Sequence, residues 1–331
     1  MKAVICTAYG PPEVLHLKEV EKPVPGDNDV LIKIYAATVT MGDCELRGLT
    51  LPLWTRIPMR LYMGYRKPQK FIPGMELSGV IESVGKNVVS FKPGDPVFGS
   101  GGMGMGANAE YKCQRYTSGL AIKPAGVSFE QAATIPVGGL NALHFLRKAK
   151  IRAGQKVLVN GAGGSIGTYG VQLAKLYGAE VTAVDSTEKL DMLRSIGADH
   201  VIDYTQEDFA RNGEKYDVIF DTVYKTRFSR CINSLKEDGY YLMANPGPRR
   251  MLRALWVSWT TRKNVIFEFA GESVEDLNHI AQLMASGKLK AVIDRHYPLD
   301  QVQEAHEYVG RGMKKGNVVI VVARDDESVE R

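Results

Sequence analysis

No apolar run in this 331-residue chain reaches the length of a membrane span, which argues against an integral membrane segment. The opening MKAVICTAYG is too polar, and its apolar stretch too short, for a secretory signal. Four cysteines, Cys6, Cys44, Cys113 and Cys231, lie far apart with no Cys-x-x-Cys pair, so neither a disulfide framework nor a thiolate metal site is indicated. The six histidines, His16, His144, His200, His279, His296 and His306, show no ligand spacing either. Together these absences predict a cytoplasmic protein. Basic and acidic residues, 42 and 37, leave a net charge of +5. They are interspersed through most of the chain rather than blocked, which argues against a nucleic-acid surface. No internal repeat is apparent.

What the chain does have is glycine in a particular setting. The stretch VNGAGGSIG, Val159 to Gly167, follows the β-branched run Lys156-Val157-Leu158-Val159 and precedes apolar residues at helical spacing, Ile166, Gly170, Val171, Leu173, Ala174 and Leu176, that end at Gly178. A second strand-like run, Val181 to Val184, closes on Asp185. Strand, glycine turn, helix, strand and terminal acid, with the acid about 20 residues past the turn, make up the dinucleotide-binding βαβ unit. Gly161 and Gly164 let backbone N–H groups approach a pyrophosphate at the start of the helix, where Ser165 and Ile166 begin the first turn. Gly167 lets the helix pack closely on the strand, and Asp185 accepts hydrogen bonds from a ribose.

The character of the chain changes twice. From Met1 to about Gly126, short strand-like runs alternate with turns (Lys2 to Thr7, Val30 to Thr40, Gly79 to Val84, Pro96 to Phe98) and predict an all-β domain. From Gln131 to Glu268, strands and helices alternate, with six candidate strands at Val157, Val181, His200, Val218, Tyr240 and Val265. That pattern predicts a doubly wound parallel sheet. A helix over Val274 to Ala285, another after a candidate N-cap at Asp300, and a run from Val318 to Val322 return to the first domain. The fold class is therefore α/β, with one domain over 1–138 and 269–331 and a nucleotide-binding domain over 139–268. The terminal RDDESVER reads as a solvated tail.

Three blocks carry a resemblance: MKAVICTAYGPPEVL, PGMELSGVIESVGKNVVSFKPGDPVFG, and the run from IPVGGLNAL through NGAGGSIGTYGVQLAK to GADHVIDY. The chain resembles the medium-chain dehydrogenase/reductase superfamily over nearly its whole length. The resemblance implies a GroES-like catalytic domain, a Rossmann cofactor domain and a homodimer. Alcohol dehydrogenases of that superfamily hold a catalytic zinc with thiolates and an imidazole. The matching positions here are Thr40 (three residues before Asp43), Met75 (in Gly74-Met75-Glu76) and Val137. Neither Met75 nor Val137 offers the nitrogen or thiolate that zinc takes, and the lobe GSGGMGMGANAEYK lacks the cysteines of a structural zinc. The similarity is thus to the zinc-lacking branch of quinone and enone reductases. It implies NAD(P)H-dependent hydride transfer to a quinone or α,β-unsaturated carbonyl, with no metal.

Within that resemblance, candidate residues follow. Thr40, where many quinone reductases carry asparagine, and Tyr65, in the basic and aromatic segment 47–72, are candidates for the hydrogen-bond donor to the substrate oxygen. Tyr62 lies in the same segment. Asp185 favours NADH, whereas Lys189, four residues on, and Tyr204, in VIDY, favour a 2′-phosphate; the acid lies closer to the expected place and gives the preference to NADH. Asn141, Asn245 and Phe267 correspond to positions near the nicotinamide. Glu76 is read as a structural hydrogen-bonding residue, and Met103 and Met105 as capping an exposed loop. Two other readings stay open: a zinc alcohol dehydrogenase with substitute ligands, and a nucleotide-sensing protein without turnover.

Overall fold

The computed structural model describes residues 1–69, 71–223, 226–244, 247–268 and 270–323. Its chain divides into two compact units, Met1–Val137 with Glu272–Ser286 and Ile293–Arg331, and Gly138–Gly271 with Gly287–Val292.

The first unit contains β1 (Lys2–Cys6), β2 (Leu15–Glu19), β3 (Asp29–Val39), α1 (Met41–Gly48), α2 (Leu53–Met63), β4 (Glu76–Val84), β5 (Pro96–Ser100), β6 (Tyr111–Arg115), β7 (Leu120–Ile122) and the short α3 (Phe129–Ala133). The second contains α4 (Leu140–Lys148), β8 (Lys156–Asn160), α5 (Ser165–Leu176), β9 (Glu180–Asp185), α6 (Leu190–Ser195), β10 (His200–Asp203), β11 (Tyr216–Asp221), α7 (Phe228–Asn233), β12 (Leu235–Met243), α8 (Pro248–Thr260) and β13 (Asn264–Ile266). The chain then returns to the first unit with α9 (Val274–Ala285), β14 (Ile293–Pro298), α10 (Val302–Gly310) and β15 (Asn317–Val321).

In the first unit the sheet runs β14-β15-β3-β4-β5-β7, with β6 also on β3. The long β3 organises it: its first half pairs with β6, its last residues with β15, and β4 lies along its other edge. Core residues Val30, Ile32, Ile34, Leu77, Ile81, Val97, Val318 and Ile320 are fully buried, the main apolar contribution to this unit. At the end of β3, Thr40 and Asp43 form a reciprocal capping box that starts α1 at once.

The second unit is the six-stranded sheet β10-β9-β8-β11-β12-β13, every pairing parallel. Val157, Leu158 and Val159 are wholly buried, as expected of a central strand covered on both faces. Chain order reverses between β8 and β11. The crevice beyond their carboxyl ends is the topological switch point, where open α/β sheets bind ligands.

The expected parallel sheet is present, and the stretch to Gly126 is mostly strand, but it is not all-β: the helices α1 and α2 follow β3 within it. Three further details differ. Asp300 does not cap a helix; it lies in the 3-10 turn Leu299–Gln301, and Gln301 precedes α10. Met105 caps no exposed loop: it is buried against Leu46 and Met63, while the side chain of Met103 lies outside the described part. Residues 287–292 go with the nucleotide unit, because the Gln172 side chain of α5 donates to Lys290 O (3.0 Å) and accepts from Lys290 N–H (2.8 Å).

Candidate cofactor turn and the cluster at the zinc positions

The turn after β8 is held by β9: the N–H groups of Gly161 and Ala162 both donate to Val184 O, at 3.0 and 3.1 Å. Gly161 has φ +78°, and a Cβ there would lie 2.5 Å from Thr222 Oγ1, so the position is closed to other residues on two counts. At Gly167 a Cβ would stand 2.3 Å from Gly161 O and 2.6 Å from Ala162 Cα; backbone meets backbone there, and the helix packs onto the turn because no side chain intervenes. Gly164 is different. It has the extended φ of −87°, precedes α5 without any side-chain cap, and a Cβ would touch only Gly161 O at an ordinary 3.5 Å. The first turn of α5, from Ser165 and Ile166, thus starts on an N-cap that supplies no side-chain oxygen, which suits it to an anion.

Asp185 reaches back into this turn. Its Oδ2 accepts from Gly163 N–H at 2.7 Å, its Oδ1 from Ser186 N–H at 2.9 Å, and Lys189 Nζ lies 3.1 Å from Oδ1. Both side chains are buried. The sequence reading set Asp185 and Lys189 as rivals for the nucleotide; in the fold they are an ion pair. Their closeness also explains a glycine that the motif reading passed over: a Cβ on Gly163 would lie 2.5 Å from Lys189 Cδ and 2.9 Å from Asp185 Oδ2. Tyr204 is exposed, and its N–H donates to Asp185 O at 3.1 Å, so it stands beside the acid.

At the switch point lies a network that the sequence reading missed. Asn160, at the end of β8, donates through Nδ2 to Asp221 Oδ1 (2.9 Å) and Thr226 Oγ1 (2.7 Å). The Tyr241 hydroxyl donates to Asp221 Oδ2 at 2.7 Å, and Arg250 stands 3.7 Å from the same oxygen. Burial raises the pKa of Asp221 against the lowering effect of these hydrogen bonds. One signal was available: two adjacent parallel strands, VLVN and VIFD, each end on a polar residue.

Of the nicotinamide candidates, Asn141 is half-buried in the first turn of α4, and Gly138, just before that helix, sits so close to α5 that a Cβ would lie 3.0 Å from Ser165 O. Phe267 is half-buried after β13, and the adjacent Glu268 pairs with His144 and Lys148 of α4 at 3.2 and 3.0 Å. Asn245 lies outside the described residues.

In the first unit, two of the three positions matched above to zinc ligands, Thr40 and Met75, meet, and the third, Val137, is tied to the residue after Met75. Met75 Sδ is 3.8 Å from Thr40 Oγ1, and the neighbouring Glu76 accepts the Val137 N–H at 2.6 Å. The group does not fit a zinc ion: one position is a thioether, one an aliphatic side chain, and the third a hydroxyl already committed. Thr40 Oγ1 bonds to Asp43 Oδ2 at 2.6 Å and accepts from Asp43 N–H at 3.2 Å. Asp43 also accepts from Thr40 N–H and Gly74 N–H. Glu76 is wholly buried, with Thr38 donating to its other oxygen; burial pushes its carboxyl up to about 7, partly opposed by the two hydrogen bonds. Among the described residues, no group of three or more His, Cys, Asp or Glu could hold a metal ion. Tyr65, by contrast, is 70% exposed, its ring 5.2 Å from the Arg60 guanidinium. Tyr62 is also exposed.

Comparison with known proteins agrees with this architecture. Residues 26–150 match the alcohol dehydrogenase GroES-like domain and residues 196–320 the zinc-binding dehydrogenase family. The chain is 32% identical to the chloroplastic quinone-oxidoreductase QR1 of Triphysaria versicolor, over 97% of this chain and 98% of that protein. It is also 32% identical to the NADPH-dependent alkenal/one oxidoreductase of Arabidopsis thaliana, over 97% and 79%. The solved quinone oxidoreductase of Coxiella burnetii superposes with a TM-score of 0.88 at 28% identity, covering 98% of this chain and 99% of that one. The chain belongs to the medium-chain dehydrogenase/reductase superfamily, among its quinone-oxidoreductase-like members.

Proposed function

We propose that this protein is a zinc-independent, NAD(P)H-dependent reductase that delivers hydride to a quinone or an α,β-unsaturated carbonyl, as a cytoplasmic homodimer. The observation that carries the reading is the pairing of a pyrophosphate-type glycine turn with a thioether, an aliphatic side chain and a committed hydroxyl at the zinc positions. Relatives named for quinone and alkenal/one reduction support it. The nicotinamide supplies the hydride. Gly161, Gly163 and Gly167 keep the turn bare so that backbone N–H groups and the start of α5 hold the pyrophosphate. A conjugated acceptor spreads the incoming charge onto its oxygen, so a hydrogen bond suffices where a saturated ketone asks for a Lewis acid. Thr40 and Tyr65 are the proposed donors to that oxygen; Thr40 must first release Asp43. Asn141, Phe267 and Asn245 are proposed to position the nicotinamide.

NADH is the proposed coenzyme. Lys189 is tied to Asp185, so a 2′-phosphate would have to break a buried ion pair and then sit beside the freed carboxylate, whereas a ribose diol donates to that carboxylate as it stands. Among the described residues β13 is an edge strand of its sheet, a surface for pairing with a second copy.

The test is steady-state oxidation of NADH and NADPH, with a quinone, an enone and a simple aldehyde offered separately after chelator treatment. Turnover of the quinone or enone but not the aldehyde is expected. Activity on the aldehyde alone, or its abolition by chelation, would return the protein to the metal-dependent dehydrogenases. Tight nucleotide binding without turnover of any acceptor would mark it as a sensor.

A further inference from the structure

All three tryptophans of the chain, Trp54, Trp256 and Trp259, lie on exposed helix faces. In α8, Leu252, Leu255, Trp256 and Trp259 are all exposed, Trp259 at 87%, while Ala254 and Val257 are buried. At 3.6 residues per turn the four exposed side chains fall within an arc of about 100°, opposite the arc that faces the core. Arg249 and Arg253, both exposed, flank the apolar arc on one side. In α2, Leu53, Trp54, Ile57 and Leu61 make a second outward arc, while Met59 and Met63 pack inward around Met105. An amphipathic helix of a globular unit ordinarily turns its apolar stripe to the core. Each of these two turns one to the core and another to the outside.

Charge says what covers them. Between Glu45 and Glu76 there is no acid and there are six basic residues; between Asp238 and Glu268 there is none and there are five. The rest of the chain holds 31 bases against 37 acids, so the positive balance of the protein belongs to the two stretches that carry the outward arcs. A symmetric contact along α8 would bring together two copies of a stretch that holds five bases and no acid. An anionic bilayer meets both features at once. Leucine and tryptophan enter the headgroup–acyl boundary, where indole rings are favoured, and flanking arginines reach the phosphates. We propose that the outward faces of α8 and α2 are peripheral docking surfaces for an anionic lipid bilayer, each engaging by its own arc. The inference does not depend on the reductase reading.

The experiment uses the full chain with vesicles of phosphatidylcholine alone and of phosphatidylcholine mixed with phosphatidylglycerol, read by co-sedimentation and by tryptophan emission. Binding and a blue shift are expected only with phosphatidylglycerol, and both should weaken at high salt. Arg249→Ser with Arg253→Ser should lower the partition coefficient at least about tenfold. Trp256→Ser with Trp259→Ser should lower it further at an unchanged melting temperature, and leaves Trp54 as the sole reporter of α2. Should that pair of substitutions fail to fold, the arginine pair carries the test. No binding, or equal binding to phosphatidylcholine alone, overturns the proposal. So does emission that is already blue-shifted without vesicles in a dimer that becomes monomeric when Trp256 and Trp259 are replaced, which would give the face to a second copy.

Discussion

Around the glycine turn of the nucleotide unit the backbone is left bare, whereas around Glu76 in the other unit the polar groups consume one another. Gly161, Gly163 and Gly167 exclude side chains because Thr222, the Asp185–Lys189 pair and the turn itself already fill the space where a Cβ would go. Thr38, Thr40, Asp43, Glu76 and the N–H groups of Gly74 and Val137 form closed pairs instead. A site that takes a ligand through its backbone depends on what is missing from it. A cluster whose donors and acceptors satisfy one another must first break an internal hydrogen bond before any of its members, Thr40 included, can turn to a ligand.

The comparison breaks most severely at Gly167. Gly167→Val pushes a branched side chain into the carbonyl of Gly161 and the Cα of Ala162, neither of which can swing aside. A loss of about 3 kcal/mol is expected from overpacking against backbone, together with loss of nucleotide binding. Urea unfolding and a nucleotide titration check both.

In the self-paired cluster, Glu76 is the residue to remove. Burial raises its carboxyl from the ordinary 4.5 to about 7. A raised folded-state value means the native protein holds the proton more tightly, so this contribution to stability is complete below pH 4.5 and lost as pH climbs through 7. The window is worth about 3 kcal/mol at most. Glu76→Gln, whose amide can still accept the Val137 N–H, should flatten that fall between pH 5 and 8; if unfolding free energies of wild type and Glu76→Gln run parallel with pH, the buried carboxyl does not titrate in this range. Glu76→Ala leaves the Thr38 and Val137 donors buried without a partner and should cost about 2–4 kcal/mol at any pH.

How much of this could be read beforehand divides along the same line. The strand–turn–helix–strand–acid order is local, and the parallel sheet and its first crossover follow from VNGAGGSIG and its flanks. The residue types at the three zinc positions were equally legible, because a thioether and an aliphatic side chain are not the nitrogen or thiolate that zinc takes, whatever their surroundings. Long-range pairing was not. Asn160 and Asp221 lie 61 residues apart and meet only because β8 and β11 are neighbours in the sheet. Asp185 and Lys189 were read as competing side chains because spacing alone cannot tell two residues that face a ligand from two that face each other. Met105 looked like part of a glycine-rich surface loop, yet a φ of +44° turns it inward.

That ion pair yields the next effect in size. Asp185→Asn removes the carboxylate that occupies Lys189 and frees the ammonium for a 2′-phosphate. The ratio of kcat/KM for NADPH over NADH should rise about tenfold or more, the worth of one charge-assisted hydrogen bond. Lys189→Met, by contrast, should leave the ratio no higher than in the wild type. If Asp185→Asn leaves the ratio unmoved, neither side chain reaches the adenosine ribose.

The smallest effect on stability is the sharpest test of what the turn is for. Gly164 is the one glycine of the motif where a methyl group meets neither a positive φ nor a filled space. At an N-cap, alanine is somewhat worse than glycine, but it also narrows the unfolded ensemble, and the two nearly cancel. Gly164→Ala should change unfolding free energy by no more than about 0.5 kcal/mol. If the bare backbone at the start of α5 is where the pyrophosphate sits, the same methyl group stands in its way, and the dissociation constant for NAD(P)H should rise at least about tenfold, or about 1.4 kcal/mol. Unchanged affinity would mean that Gly164 lies off the ligand's path. The glycines that matter would then be those already closed by Thr222, Lys189 and the turn itself.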